Sequence, residues 1–380
     1  MRCNYLLLLI VLGYACQSNS NGNFKFTKEL LESKTLKFPL DKSTSNTSFN
    51  VEAFRDPTTN KRLLVYLNLH KPSIIYFDLE KTEVFKEVPL EQDGPNGVGK
   101  PSRILTLSWD SIIVVSSYNY RVSIVNEKGT LLKDYRLLLG EDYNENTGLI
   151  DFTSPVIKMD NKLFFAISPD RNAYSPTFYE GYINSSLNLT TGDYRYFNNY
   201  PPEFMGKTWG VRGPSYSLTS NGNGDFIYSF SISDSLVVIN VKEGTYHRYW
   251  AGSIFKRTEV NSFENGDRSR DLSDYALGSF YYYGIIIDPY QHLYYRFAWH
   301  SIDKMDYKGD ANNIFNKPLS IIILDENWNV IGEKKLQDNT FLLYMFFVSE
   351  EGLCIANTNP KNPNLEDDNL VFTCFKVADL

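Results

Sequence analysis

Several short runs in this 380-residue sequence carry residues at spacings that could do chemistry. Gly94-Pro-Asn-Gly-Val-Gly99-Lys100 has the glycines and lysine of a phosphate-binding loop. Pro101, however, stands where a Ser or Thr would ligate magnesium, and a strand-like run follows where a helix N-terminus should supply amides. Asn221-Gly-Asn223-Gly-Asp225 alternates oxygen ligands as a calcium loop does, yet its twelfth position is Ile232 in place of a bidentate Glu, so it reads as a hairpin turn. Ser168-Pro-Asp170-Arg-Asn172 begins like a sialidase Asp-box without the Gly and Thr-Trp that complete it. His70, His247, His292 and His300 show no paired metal spacing, and no Gly-x-Ser-x-Gly elbow occurs. A glycosidase-type carboxylate pair has no local spacing that marks it among 45 acidic residues. The expectation is therefore no metal and no cofactor.

Recognition chemistry is better represented. Trp209 with Arg212, Arg268 with Arg270, and Arg296 followed by Trp299 and His300 set aromatic faces beside guanidinium groups, a combination suited to sugars, peptides or carboxylates. The competing reading is structural: the aromatics anchor long loops, and the arginines pair with Asp267, Asp271 and Asp274. If Arg296 and Trp299 touch ligand, replacing both with Ala abolishes binding and leaves stability almost unchanged. A formal charge of −7 argues against nucleic acid as the partner.

What must position these residues is a repeat. A short alternating strand, a tight polar turn and a second alternating strand recur at residues 73–89, 120–136, 181–198, 235–250 and 319–336. A sixth copy starts at residues 369–378 without its second strand, and residues 34–41 supply a second-strand pattern without a first. Two further strand-like runs precede each hairpin: 49–54 with 62–68, 102–107 with 111–116, 154–158 with 162–168, 215–219 with 225–231, 282–288 with 292–297, and 341–347 with 352–357. Four strands in six units predict an all-β, six-bladed β-propeller whose last blade is closed by the N-terminal strand, which leaves no open sheet edge. The longer connections, 91–101, 140–152, 169–180, 200–214, 251–277, 298–318 and 358–369, then gather on one face, where binding is expected.

The N-terminus reads differently. Arg2, the apolar run from Tyr5 to Leu12 and the small residues before Cys16 form an export signal too short to span a bilayer. Cys16 after Ala15 resembles the bacterial lipobox, although Gly13 also suits ordinary signal cleavage; lipidation at Cys16 is the leading reading. The organisation expected is a signal peptide over 1–15, a lipidated Cys and flexible tether over 16–33 and a propeller over 34–380. Cys354 and Cys374 fall on adjacent strands of the last blade, either as a disulfide or as two small buried hydrophobes.

The signal with Cys16, the segment from Asp288 to His300, the hairpin from Ile321 to Glu333 and the closing run from Tyr344 to Leu365 together resemble the DUF4221 family of Bacteroidetes lipoproteins, grouped with TolB-like six-bladed propellers. That resemblance implies the fold and leaves function open. The function expected is a cell-envelope lipoprotein, lipid-anchored at the outer membrane and facing the periplasm, that binds a glycan, peptide or envelope protein through its long-loop face. The alternative is a carbohydrate-active hydrolase or lyase, which a cluster of carboxylates with His300 or Tyr in the central funnel would favour.

Overall fold

The computed structural model describes residues 26–137, 148–150, 154–210, 213, 215–263 and 268–380, with the side chains of 148–149 and 268–271 left out. The segment expected to be a signal peptide, Cys16 and Arg212 lie outside the described residues.

Six antiparallel sheets form the ring of a six-bladed β-propeller. The chain enters through β1 (Lys28–Pro39) and then builds blade 1 from β2 (Val51–Arg55), β3 (Arg62–Asn68), β4 (Ser73–Asp78) and β5 (Glu83–Pro89). Blade 2 comprises β6 (Arg103–Ser108), β7 (Ser111–Ser116), β8 (Arg121–Val125) and β9 (Leu131–Arg136). Blade 3 comprises β10 (Gly148–Ile150) and β11 (Ile157–Met159), both paired with β12 (Lys162–Pro169), then β13 (Tyr182–Asn188) and β14 (Tyr194–Asn199). Blade 4 is β15 (Tyr216–Ser220), β16 (Asp225–Phe230), β17 (Ser235–Asn240) and β18 (Thr245–Trp250). Blade 5 is β19 (Tyr281–Asp288), β20 (Leu293–Trp299), β21 (Leu319–Leu324) and β22 (Val330–Lys335), and blade 6 is β23 (Phe346–Ser349), β24 (Gly352–Ala356), β25 (Asn369–Asp379) and β1.

The middle strands of each blade are continuous apolar runs because both of their faces are buried. In β3, Leu63, Val65 and Leu67 pack toward blade 2 while Leu64 and Tyr66 pack toward blade 6. In β21, Ile321 and Ile323 face blade 6, and Ile322 and Leu324 face blade 4. The core is thus six apolar clusters, one between each pair of neighbouring blades. Outer strands such as β5, largely exposed, keep the polar alternation of a one-sided surface.

Ring closure differs from expectation at its start. β1 pairs with β25 from Lys28 opposite Asp379 to Pro39 opposite Asn369, so residues 28–33, read from sequence as tether, belong to the sheet. A bulge between Glu32 and Lys34 hid this. Leu30 and Leu36 are both even-numbered, yet Leu30 packs toward blade 5 and Leu36 toward blade 1, since the extra residue reverses the side-chain period. Ser33 at the bulge donates its hydroxyl to the carbonyls of Cys374 and Glu351, each at 3.1 Å.

Two other differences lie in the connections. The helix α1 (Arg268–Gly278) occupies the end of the 251–277 connection and one residue beyond it, where no helix was expected. The buried Lys317 ammonium caps its end by donating to the carbonyls of Ala276, Leu277 and Ser279 at 2.7, 3.0 and 2.7 Å. In blade 3 the added strand β10 falls within a segment read as loop. Among the described residues, no helix is long and apolar enough to cross a membrane.

Candidate functional site

The innermost strand of each blade is a sheet edge whose free N–H groups need partners. In blades 2, 4 and 5, polar side chains of a neighbouring blade provide some of them. Asn50 Oδ1 accepts from Ile104 N–H and Glu52 Oε1 from Thr106 N–H, both at 2.9 Å, so two residues spaced by one on blade 1 satisfy two residues spaced by one on blade 2. Ser154 Oγ accepts from Leu218 N–H and Ser217 Oγ from Ile285 N–H, both at 3.3 Å. Arg103 links three blades by donating from Nε to Ser154 O at 2.8 Å and from Nη1 to Phe49 O.

Asn50, Glu52, Arg103 and Ser217 among these border a recess of about 100 Å³ at the central channel, lined largely by the starts of the inner strands and therefore opening on the long-loop face. Its polar wall includes Asn50, Glu52, Arg103, Ser217 and Thr219. Its aromatic wall is graded. Phe49, 40% exposed, lies 5.7 Å from Tyr344; Tyr344 lies 5.7 Å from Tyr283; and Tyr283 stacks on the buried Trp299 at 5.5 Å. Glu52 keeps partial contact with the channel, but the strands enclosing its carboxyl push its pKa up to about 7, against a smaller downward pull from Thr106 N–H and Arg103. A carboxyl that titrates near neutrality beside exposed aromatic carbon can accept or donate hydrogen bonds to a polar ligand.

The residues singled out from sequence occupy other places. Arg296 is fully buried. Its Nε donates to Ser229 Oγ and its Nη1 to Ala251 O, both at 2.9 Å, while Nη2 donates to Ser233 O at 2.6 Å and Phe230 O at 3.3 Å. The guanidinium also lies 3.7 Å from the centre of the Tyr282 ring. Burial lowers its pKa to about 10, which leaves it cationic at neutral pH. Arg296 is therefore corrected from ligand contact to anchor of blade 4 and the loop leaving it. Trp299, 3% exposed, supports Tyr283 and does not reach the surface. Trp209 is buried and donates Nε1–H to Phe204 O at 3.3 Å, which fastens its own loop.

His300 is buried, with its ring 5.3 Å from Phe280 and 5.1 Å from Phe255. Burial lowers its pKa to about 4, so the imidazole is neutral. Its Nε2 lies 2.8 Å from Ser320 Oγ, and Ser320 Oγ in turn donates to Glu333 Oε1 at 2.6 Å. A catalytic triad places the imidazole between hydroxyl and carboxylate; here the hydroxyl stands between the other two and Ser320 is fully buried. Arg268 and Arg270 lie in α1, with side chains outside the described residues, and Asp274 pairs with Lys304. Among the residues lining the recess, Glu52 is the single carboxylate, and His300 is absent from it, so the cluster that would favour a hydrolase is not assembled there. No group of three His, Cys, Asp or Glu side chains suited to a metal occurs among the described residues.

Phe49, Asn50, Glu52 and Arg103 escaped sequence reading because their strands were read only for apolar alternation. The signal present was a pair of polar groups, Asn50 and Glu52, spaced for one face of an inner strand.

The architecture and its central recess define a six-bladed β-propeller of the kind that presents long loops around one end of a channel. The family described as domain of unknown function DUF4221 matches residues 27–335, and the chain belongs to that family. A crystal structure of a DUF4221 member from Bacteroides vulgatus ATCC 8482 is similar at 25% identity and a TM-score of 0.78, covering 93% of this chain and 99% of that one. A putative exported protein from Bacteroides fragilis NCTC 9343 shares the fold at 12% identity and a TM-score of 0.53, over 93% of this chain and 96% of its own. No curated protein matches the sequence.

Proposed function

We propose that this protein is a lipid-anchored cell-envelope binding module whose channel mouth, on the long-loop face, takes a glycan, peptide or partner protein segment. The observation that carries the reading is the graded aromatic wall from exposed Phe49 through Tyr344 and Tyr283, set opposite Glu52 and Arg103 in one recess. Aromatic carbon supplies contact area and the polar wall supplies orientation, the composition expected of a small-ligand site. Anchoring rests on Cys16 and the apolar run before it, and the location proposed is the outer membrane, facing the periplasm.

The test is a thermal-shift screen of the purified protein against glycans, peptidoglycan fragments and short peptides. A ligand at 100 times its Kd stabilises by about 2.7 kcal/mol. The expected result is a shift that disappears in a Phe49→Ala, Tyr344→Ala double variant of otherwise ordinary stability. Shifts by every active ligand that stay undiminished in that variant, or none with any member of the panel, overturn the channel-mouth reading.

A further inference from the structure

A second recess, of about 220 Å³, lies between the connection from β22 to β23 and the long loop from β24 to β25. Its lining is dominated by side-chain amides: Gln337, Asn357, Asn362, Asn364 and Asn369. The loop that carries most of them is held in place by its own hydrogen bonds. Asn359 Nδ2 donates to Phe315 O at 3.0 Å and Phe341 O at 3.2 Å, and Asn362 Nδ2 donates to Asn357 O at 2.9 Å. A site ordered before its ligand arrives loses less entropy on binding.

Two observations point to a ligand. Thr358 in the wall is 4% exposed, and its Oγ1 has no hydrogen-bond partner among the described residues. Thr358 Oγ1 is one of six such atoms among the described residues; another, Asn339 Oδ1, belongs to the adjoining connection and does not line the recess. Buried polar groups are rarely left unmade without a reason. Beside them, the side-chain amides of Gln337 and Asn364 are exposed and make no hydrogen bond among the described residues.

The chemistry of the lining selects the ligand class. A carboxamide offers both donors and an acceptor, as a hydroxyl does; Gln337 and Asn364 keep theirs for a ligand, whereas Asn357, Asn362 and Asn369 spend part of theirs on Thr373, Asn364 and Glu366 with Asp368. No Lys, Arg or His lines the recess, and the one carboxylate, Glu366, is already engaged by Lys37 Nζ at 2.6 Å and Asn369 Nδ2 at 3.0 Å. Lys37 and Glu366 neutralise each other, so neither an anion nor a cation finds a free counter-charge in the lining. Leu365 and Val371 add an apolar patch. At roughly 30 Å³ per water the space holds about seven waters, the scale of one sugar ring. We infer that this amide-lined recess of blade 6 binds a neutral pyranose, its hydroxyls on the amides and its C–H face on Leu365 and Val371. This site stands apart from the channel mouth and does not rest on the reading given to it.

Saturation-transfer NMR on the intact protein with glucose, galactose, mannose, fucose and N-acetylglucosamine tests it. Binding of at least one sugar is expected. Affinity should fall about fivefold in Thr358→Val, the loss of one hydrogen bond, and further in a Gln337→Ala, Asn364→Ala variant. Thr358→Val should leave the unliganded melting temperature unchanged or raised, because its hydroxyl is unpaired there; the affinities are read in a Phe49→Ala, Tyr344→Ala background, which removes any sugar held at the channel mouth and leaves the recess of blade 6 to bind. Absence of binding by all five sugars, affinity undiminished in both recess variants, or a short peptide competing more strongly than any sugar overturns the assignment.

Discussion

The buried Arg296 guanidinium donates to Ser229, Ala251, Phe230 and Ser233 and so ties blade 5 to blade 4 and the loop that leaves it. Arg296→Ala would orphan several buried acceptors, each at about 1–3 kcal/mol, so a loss of at least about 3 kcal/mol is expected in urea unfolding. A loss near that of a surface substitution would return Arg296 to the surface chemistry its sequence context suggested. Glu52 gives a pH prediction. Its folded pKa, about 7, is raised above the ordinary 4.5, so the native state holds a proton that the unfolded chain releases between these values. Stability attributable to Glu52 therefore falls as pH rises from about 4.5 to 7. His300, lowered to about 4 from 6.5, acts oppositely, its contribution being lost as pH falls through that window. Glu52→Gln should thus be increasingly stabilised relative to wild type as pH rises from 4.5 to 7. A difference in melting temperature that is flat across this range would remove Glu52 as the titrating group.

At the level of elements, blade 6 is assembled from the two ends of the chain, and two devices hold it. One is the long β1–β25 ladder; the other is the disulfide joining Cys354 and Cys374, which face each other across β24 and β25. The cysteines are 20 residues apart, so the bond closes a loop whose loss in the unfolded chain corresponds to about 3 kcal/mol. A Cys354→Ala, Cys374→Ala variant should unfold with a stability about 2–4 kcal/mol lower, and reductant should lower wild type toward it. A wild-type midpoint indifferent to reductant would mean the two side chains only fill space between blades 6 and 1. Legibility varied by element for a physical reason. Middle strands such as β3 and β21 were plain because burial on both faces demands unbroken apolar runs, whereas β1 was truncated in reading because one bulge reverses its alternation.

For the molecule as a whole, the ring distributes its core over six interfaces, so the channel mouth and the blade 6 recess are separate surfaces on one rigid support. Cys16→Ser should shift the proposed lipoprotein from the membrane fraction to the soluble envelope fraction, followed by fractionation and immunoblot; retention of the variant in the membrane pellet would count against acylation at that residue.

Strand type, blade number and closure by the N-terminal strand were determined by sequence alone, since period and repeat are local properties that burial writes into every blade. The partners of Arg296, the isolation of His300 behind Phe255 and Phe280, and the meeting of Phe49, Glu52, Arg103 and Tyr344 around one recess were decided only by tertiary structure. Those residues come from blades 1, 2 and 6, and no local pattern records which side chains a closed ring brings face to face.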